Sequence, residues 1–276
     1  MIEAADAGIM GIAGMTWTVF VLVVLAGLAA GWIDAVVGGG GLLQLPALLL
    51  VPGLSPVQAL ATNKLGSIAG TTTSAITFYR RAKPDLRTAI PMAVVALCGS
   101  FGGAMVATLL PASVFKPIII VALVAVAIFT LAKPSMGQET ELRFDDRRHY
   151  VGAGAIGAAI GFYDGLIGPG TGTFLVIAIV SILGYDFLQA SAKAKIVNFS
   201  TNLGALLLFI PTGAVQWRLG LCLAAANMAG SYLGSRMAIA KGTTFIRIAF
   251  LIVVGALSIK LAYDVWTENL APLLLP

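Results

Sequence analysis

Long tracts with few charged residues recur along almost the whole of this 276-residue chain. They begin near Thr16, Pro56, Thr88, Phe115, Val151, Gly170, Phe187, Leu219 and Thr243. Most are about as long as the roughly 20 residues that a helix needs to cross a bilayer. Hydrophobic residues make up 59% of the chain and the mean hydropathy is +0.97, more than a soluble core of this size can bury. The sequence therefore predicts an all-α, polytopic integral membrane protein without soluble modules.

The basic residues lie mainly in three short connections between these tracts. They are Arg80, Arg81, Lys83 and Arg87, then Lys133, Arg143, Arg147 and Arg148, and finally Arg236, Lys241 and Arg247. Because cytoplasmic loops of membrane proteins are rich in Lys and Arg, these connections are predicted to face the cytoplasm. The net charge of +5 thus belongs to loops, and no nucleic-acid partner is expected.

A polar segment, residues 133–150, divides the chain into two similar halves, 1–132 and 151–276. It is predicted to be a cytoplasmic linker between two membrane repeats. GWIDAVVGGGGLL in the first half matches GFYDGLIGPGTGTF in the second, so Asp34 and Asp164 lie 130 residues apart. After a one-residue slip, Gln58 matches Gln189 at an offset of 131.

The two halves are predicted to have inverted topology. The loop after Tyr79 is rich in basic residues, whereas its counterpart, 210–217, has none before Arg218. Equivalent loops on opposite sides of the membrane require an odd number of crossings in each half. Counting the short segments 42–51 and 173–183, we expect about five helical segments per repeat. The whole chain would have eight or nine crossings if either short segment were re-entrant.

Each repeat contains a glycine-rich break, 38–41 in the first and 168–172 in the second. A broken helix inside a bilayer leaves backbone N–H groups that lipid cannot satisfy, so the break must face protein, water or a ligand. The helix that follows offers free N–H donors and the positive end of its dipole, which bind anions. Tight helix packing is the alternative role for these glycines. The predicted substrate-binding residues here are Gly38, Gly39, Gly40, Gly41, Gly168, Gly170, Thr171, Gly172 and Thr173.

A polar stripe follows each break on the next long helix. The stripes are Lys64, Ser67 and Thr71 in the first half, and Lys195, Asn198 and Asn202 in the second. The spacing i, i+3, i+7 puts each trio on one helix face. The two lysines are predicted to supply positive charge to a substrate, while Asn63, Ser67, Asn198 and Asn202 orient it. The alternative is snorkelling to the membrane surface, which we assign to Lys193 because it has no basic counterpart.

Asp34 and Asp164 each lie a few residues before a glycine break. A buried carboxyl group has a raised pKa and can change its protonation as the local charge changes. The two aspartates are therefore candidates for proton coupling. A fixed salt bridge that holds the broken helix is an equally weighted alternative.

Other reactive side chains carry no expected chemistry. His149 is predicted to be a solvated loop residue, and the lone Cys98 and Cys222 are predicted to be small core hydrophobes. The sequence has no nucleophilic triad, metal-ligand cluster or nucleotide-binding loop. An enzyme, a metal site and a bound cofactor are therefore not expected.

In these motifs the chain resembles the TauE/SafE family of membrane permeases, which includes sulfite and organosulfonate exporters. The resemblance rests on the G-x-x-D-x-x-x-G-G-G-G run at 31–41, the A-T-N-K at 61–64, and the A-K-x-x-N at 194–198. It implies secondary transport of a small sulfur-containing anion across the bacterial inner membrane by a multi-pass protein. The expected partners are that anion and the lipid bilayer, with a homodimer left open.

The sequence thus predicts a transporter that works by alternating access, with the two aspartates as candidates for proton coupling. An anion channel and a membrane protein with a structural or receptor role are the alternatives. A cation transporter is disfavoured because two lysines at the site would repel its substrate.

Overall fold

The computed structural model describes residues 9–12, 14–111, 140–144 and 146–265, and every regular element among these residues is helical. The long elements are α1 Trp17–Val37, α2 Gly41–Leu49, α3 Pro56–Ala82, α4 Leu86–Leu109, α5 Asp146–Leu166, α6 Thr171–Ala178, α7 Phe187–Phe209 and α8 Trp217–Val265. A π-helical turn, Ile179–Leu183, extends α6, and α8 is interrupted at Gly242, where φ is 70°. The prediction of an all-helical fold is confirmed for this part of the chain.

Side-chain caps fix where α3 and α7, the two helices that carry the polar stripes, begin. At α3, the N–H of Gln58 donates to Ser55 Oγ at 3.3 Å, and the N–H of Ser55 donates to Gln58 Oε1 at 3.0 Å. At α7, Asp186 Oδ1 accepts from the N–H groups of Leu188 and Gln189 at 2.8 and 3.0 Å. Such caps satisfy N–H groups that have no partner within the helix. They set the position of each stripe relative to the end of its helix.

The long helices pack mainly against helices of the other half of the chain. α1 packs along α8 and α5 packs along α4, while α3 also packs on α8 and α7 on α4. Glycines permit the closest approaches. A Cβ on Gly31 would lie 2.2 Å from the carbonyl oxygen of Asn227, and one on Gly103 would lie 2.0 Å from that of Phe162. The two halves are therefore interlocked rather than separate bodies.

Many large apolar side chains are exposed on the outer surface of this assembly. By length and composition, α1 and α4 are able to cross a membrane, and Thr171–Leu183 is a shorter apolar helix. Leu22 and Leu25 of α1 and Val94 and Met105 of α4 are exposed. Lipid can cover such side chains, whereas water cannot do so favourably.

The structure corrects two expectations about this architecture. α5 begins at Asp146, so the end of the predicted linker 133–150 is helical. Cys98 is exposed and Cys222 is half-buried, so the prediction that both are core residues is wrong. The predicted tract from Phe115 and the boundary at residue 133 lie outside the described residues.

Candidate functional site

The two glycine breaks meet each other where the halves interlock. The N–H of Thr173, in the first turn of α6, donates to the carbonyl oxygen of Gly38 at 3.0 Å. The Oγ1 of Thr173 donates to the carbonyl oxygen of Val37 at 3.2 Å. A Cβ on Gly38 would lie 2.2 Å from the carbonyl carbon of Gly172, so only glycine permits this approach of two backbones. The interrupted helix pairs α1–α2 and α5–α6 are therefore joined at their breaks.

Left-handed glycines end the first helix of each interrupted pair. Gly38 has φ 85° and its N–H donates to the carbonyl oxygen of Asp34 at 2.8 Å, which closes α1. Gly168, which lies 130 residues later, has φ 90°. Left-handed glycines commonly terminate helices because they have no Cβ penalty. The breaks differ at their next matched position, where Gly170 is left-handed with φ 79° but Gly40 is right-handed with φ −57°.

Two buried ion pairs cross between the halves at these breaks. Lys64 Nζ of α3 lies 2.6 Å from Asp164 Oδ2 of α5. Lys195 Nζ of α7 lies 3.3 Å from Asp34 Oδ2 of α1, and it also donates to the backbone carbonyl oxygen of Asp34. Each lysine thus contacts the aspartate of the opposite repeat. Neither ammonium group reaches the surface, since both lysines are 1% exposed.

The crossed pairs change the electrostatics expected from the sequence. The stripe lysines are predicted to supply positive charge to a substrate, but each has a carboxylate partner, so the four groups have a formal charge of zero. The salt bridges that were the alternative role for the two aspartates are thus present in this arrangement. A buried charge without a partner is strongly unfavourable, which explains why lysine and aspartate occur together here. An anion that enters must therefore compete with a carboxylate for the ammonium group.

A small cavity of about 20 Å³ lies beside the pairs. It is lined by Asp34, Gly38, Gly41, Asn63, Lys64, Ser67, Asp164, Gly168, Gly170, Thr171, Gly172, Asn198 and Asn202. All of these residues were singled out from the sequence. Gly39, Gly40, Thr173 and Lys195, also singled out, do not line the cavity. The volume suffices for about one water molecule and not for an oxyanion with three oxygen atoms.

Side-chain amides and helix ends supply the cavity's polar groups. Gly41 and Thr171 are the first residues of α2 and α6, so both helices point their N-termini at it. The Oδ1 of Asn63 is buried and accepts no hydrogen bond among the described residues. Asn202 Nδ2 donates to the carbonyl oxygen of Asn198 at 2.8 Å, which fixes the orientation of that amide. The site therefore combines donors, acceptors and two positive helix ends.

A polar network that was not predicted from the sequence supports the first break. Asn227 Nδ2 donates to Gln44 Oε1 at 2.6 Å, and Gln44 Nε2 donates to the carbonyl oxygen of Asn63 at 3.4 Å. Ser231 Oγ donates to the carbonyl oxygen of Gly31 at 3.0 Å. A glutamine inside the apolar run GLLQLPALL was the available signal. The network connects α2 to both α3 and α8.

A second buried polar cluster corrects two predictions. His149 is buried in α5, with Nε2 3.1 Å from Thr88 Oγ1 and 3.2 Å from the Tyr185 hydroxyl, so it is not a solvated loop residue. The helix starts before His149 and turns it toward α4. Lys193 has no exposed surface, so the prediction that it snorkels to the membrane surface is wrong. Its Nζ lies 3.8 Å above the Tyr185 ring and 3.5 Å from Gln189 Oε1.

Across the described ranges, no group of three or more His, Cys, Asp or Glu side chains is arranged to hold a metal ion. The acidic groups of the candidate site instead have lysine partners.

Comparison with known proteins gives a consistent set of matches. The family model for "Sulfite exporter TauE/SafE" matches residues 22–261. The probable membrane transporter protein ORF9 of Sinorhizobium sp is 38% identical over 240 residues, covering 87% of this chain and 91% of that protein. YfcA of Escherichia coli K12, also named a probable membrane transporter protein, is 37% identical over 238 residues, with 85% and 86% covered. A similarly named protein of Haemophilus influenzae is 34% identical over 239 residues, with 86% and 92% covered. No solved structure gives a significant match.

Proposed function

This chain belongs to the sulfite exporter TauE/SafE family, and from that premise we propose that it moves a small sulfur-containing oxyanion across the bacterial inner membrane. Sulfite and organosulfonates are the substrates considered first. Its relatives in three bacteria are named membrane transporters, which supports a transport role in a lipid bilayer over enzyme activity. The crossed ion pairs at the joined glycine breaks are the observation that carries the proposal.

Two inverted repeats are supported by helix contacts that recur at the repeat offset. Each contact is a glycine packed on a carbonyl oxygen of the opposite half. The matched contacts are Gly31–Asn227 with Gly161–Ala96, Gly230–Leu28 with Gly99–Ala158, and Gly234–Trp32 with Gly103–Phe162. Matched residues are 130 or 131 positions apart. A pseudo-two-fold axis that exchanges the two halves would produce such matched contacts. An odd number of crossings per half puts that axis in the membrane plane.

The helix ends favour an anion over a cation. The lysine charges are balanced by the aspartates, so they do not by themselves select the sign of the substrate. The N-termini of α2 and α6 both face the cavity and present the positive ends of two helix dipoles. Backbone N–H groups at Gly41 and Gly172 can approach a ligand closely because no side chain intervenes. An oxyanion is the ligand that such donors accommodate.

The aspartates would couple anion binding to protons. In the closed arrangement each ammonium group is neutralised by a carboxylate. When an anion takes the ammonium, the released Asp164 or Asp34 is left buried with no cation partner. Protonation of that carboxyl group removes the unfavourable charge. Anion binding and proton uptake are thus linked, with about one proton for each pair that opens.

The proposed mechanism is alternating access, in which the cavity opens to one side of the membrane at a time. The cavity holds about one water molecule, so it would have to widen before an oxyanion could bind. Small relative movements of the interlocked helices would open the cavity and separate one crossed pair. Because the repeats are equivalent, opening toward either side of the membrane uses the same type of motion.

Equilibrium binding tests the site directly. The purified chain in detergent is titrated with sulfite, sulfate, thiosulfate, taurine and sulfoacetate while its thermal unfolding is followed. We expect at least one of these anions to raise the unfolding temperature, and Lys64→Met and Lys195→Met to abolish the shift. Lys193→Met is the matched control, since that buried lysine lies on the same helix as Lys195 but outside the site. An equal ligand shift in all three variants would contradict the assignment of the two lysines.

A further inference from the structure

A larger cavity, of about 550 Å³, opens between α3 and α8 and shares no lining residue with the candidate site. Its basic side is formed by Arg80, Arg81 and Arg236. Ile76 and Ile239 line it with apolar surface. The volume lies in the range of sites that bind a ligand of many atoms, about 300–1,000 Å³, rather than a single small ion. It is therefore a separate feature that needs its own explanation.

The three arginines form a cluster of positive charge without acidic partners. No carboxylate lines the cavity, and among the described residues none forms an ion pair with Arg80, Arg81 or Arg236. Within the part of the chain that the structure describes, the cluster's hydrogen bond runs from Arg236 Nη1 to the Tyr232 hydroxyl oxygen, at 3.1 Å. Guanidinium groups match the geometry of phosphate oxygens and bind them through pairs of hydrogen bonds. The cavity thus has the charge to bind a phosphate-bearing ligand.

The rest of the lining is suited to an acyl chain. Ile76 is 48% exposed, and it lies one helical turn from Arg80 on the same side of α3. Tyr232, which is 47% exposed, presents an apolar ring and a polar hydroxyl, as aromatic residues at membrane interfaces do. A ligand that satisfies both parts has an anionic head and a hydrocarbon tail.

We propose that this cavity binds the headgroup of an anionic phospholipid, with its acyl chain on the isoleucine side. Arg80 and Arg81 occupy the last turn of α3, and they belong to the connection whose charge predicts a cytoplasmic location. Basic pockets between helices at that membrane surface bind phosphate headgroups. The inference rests on the membrane orientation of the proposed function but not on the transported substrate. Lipid bound here joins α3, which holds Lys64, to α8.

Native mass spectrometry of the full chain in detergent tests the proposal. Dioleoyl phosphatidylglycerol is compared with dioleoyl phosphatidylcholine, which has the same chains but no net charge. We expect phosphatidylglycerol to bind at least tenfold more tightly. The variant Arg80→Gln/Arg81→Gln/Arg236→Gln should lose this preference, and the single Arg236→Gln should lose part of it. Arg218→Gln, which removes an exposed arginine near the start of α8, is the control and should keep it.

Several outcomes would overturn the proposal. Equal binding of the two lipids by the unsubstituted chain is one, and an unchanged preference in both arginine variants is another. If inorganic phosphate or sulfite at millimolar concentration displaces phosphatidylglycerol, the cavity is a small-anion site. If the arginine variants change the oligomeric state and leave lipid binding unchanged, the surface is a contact between copies of the chain. Lys64→Met should lose anion binding and retain the lipid preference, so failure of the proposed function would be seen separately.

Discussion

Each crossed ion pair should behave as a unit when its members are substituted. Lys64→Met leaves the buried Asp164 without its cation, and we expect an apparent loss of about 3–5 kcal/mol in the free energy of unfolding. Lys64→Met/Asp164→Asn removes both charges and should recover most of that loss. The same relation is expected for Lys195→Met and its partner Asp34.

The magnitude follows from the distances. At an effective dielectric constant near 20, a separation of 2.6 Å between Lys64 Nζ and Asp164 Oδ2 corresponds to an attraction of about 6 kcal/mol. The 3.3 Å separation between Lys195 and Asp34 corresponds to about 5 kcal/mol. The cost of removing the charges from water offsets most of this attraction when both are present. When one charge remains alone, its cost of removal from water has no attraction to offset it. Single variants should therefore lose stability, whereas the paired double variant should not.

A double-mutant cycle measures the coupling, with unfolding in detergent followed by tryptophan fluorescence. The control is Lys64→Met/Asp34→Asn, which removes one positive and one negative charge from different pairs. It leaves Asp164 and Lys195 unpaired, so its loss in the free energy of unfolding should equal the sum of the losses in the two single variants. If this variant and Lys64→Met/Asp164→Asn were equally stable, the crossed pairing would be refuted. Single variants as stable as the unsubstituted chain would refute the buried-charge argument.

Three further predictions concern the surroundings of the site. Gly38→Ala places a Cβ 2.2 Å from the opposite break at φ 85°, and should lower the thermal unfolding temperature by the equivalent of more than about 1 kcal/mol. Gly154→Ala, with nothing within 4 Å, is its control and should be neutral or stabilising. Asn227→Leu leaves Gln44 Oε1 buried without its donor, so chemical unfolding should show a loss of about 1–3 kcal/mol. Burial alone would raise the pKa of Asp85, but hydrogen bonds within its own helix cap outweigh it and hold the pKa below the usual value. That stabilisation is present above about pH 4 and is lost in acid. The difference in the free energy of unfolding between the unsubstituted chain and the Asp85→Asn variant should therefore narrow as the pH falls from about 7 to 3.

The composition of the site could be predicted because two copies of one pattern were compared. One glycine-rich break or one intramembrane lysine has ordinary structural explanations, but Gly38 with Gly168 and Lys64 with Lys195 recur at a constant offset. The crossing of the ion pairs could not be predicted in the same way. Helical spacing identifies residues on one face of one helix, not which helix lies opposite. The partner of each lysine depends on packing between the halves.

Residues that differ between the repeats were missed. Gln44 aligns with Phe174, and Asn227 aligns with Ala96, so the hydrogen bond between Gln44 and Asn227 has no counterpart at the matched positions. The misplacement of His149 has a different cause. Its neighbours Arg147 and Arg148 are exposed and made the segment look like a loop, whereas one face of the same helical turn is buried. The polarity of neighbouring residues does not reveal that one face of the first helical turn is buried.

Counterflow in proteoliposomes tests most directly whether the crossed pairs form the binding site of a carrier. Vesicles are preloaded with unlabelled sulfite, or with the anion that gives the largest thermal shift, and uptake of the labelled anion is measured without a membrane potential. Preloading should accelerate uptake by the unsubstituted chain and by Lys193→Met, and should have no effect with Lys64→Met or Lys195→Met. Uptake that does not depend on preloading, or acceleration that survives both site substitutions, would contradict the account.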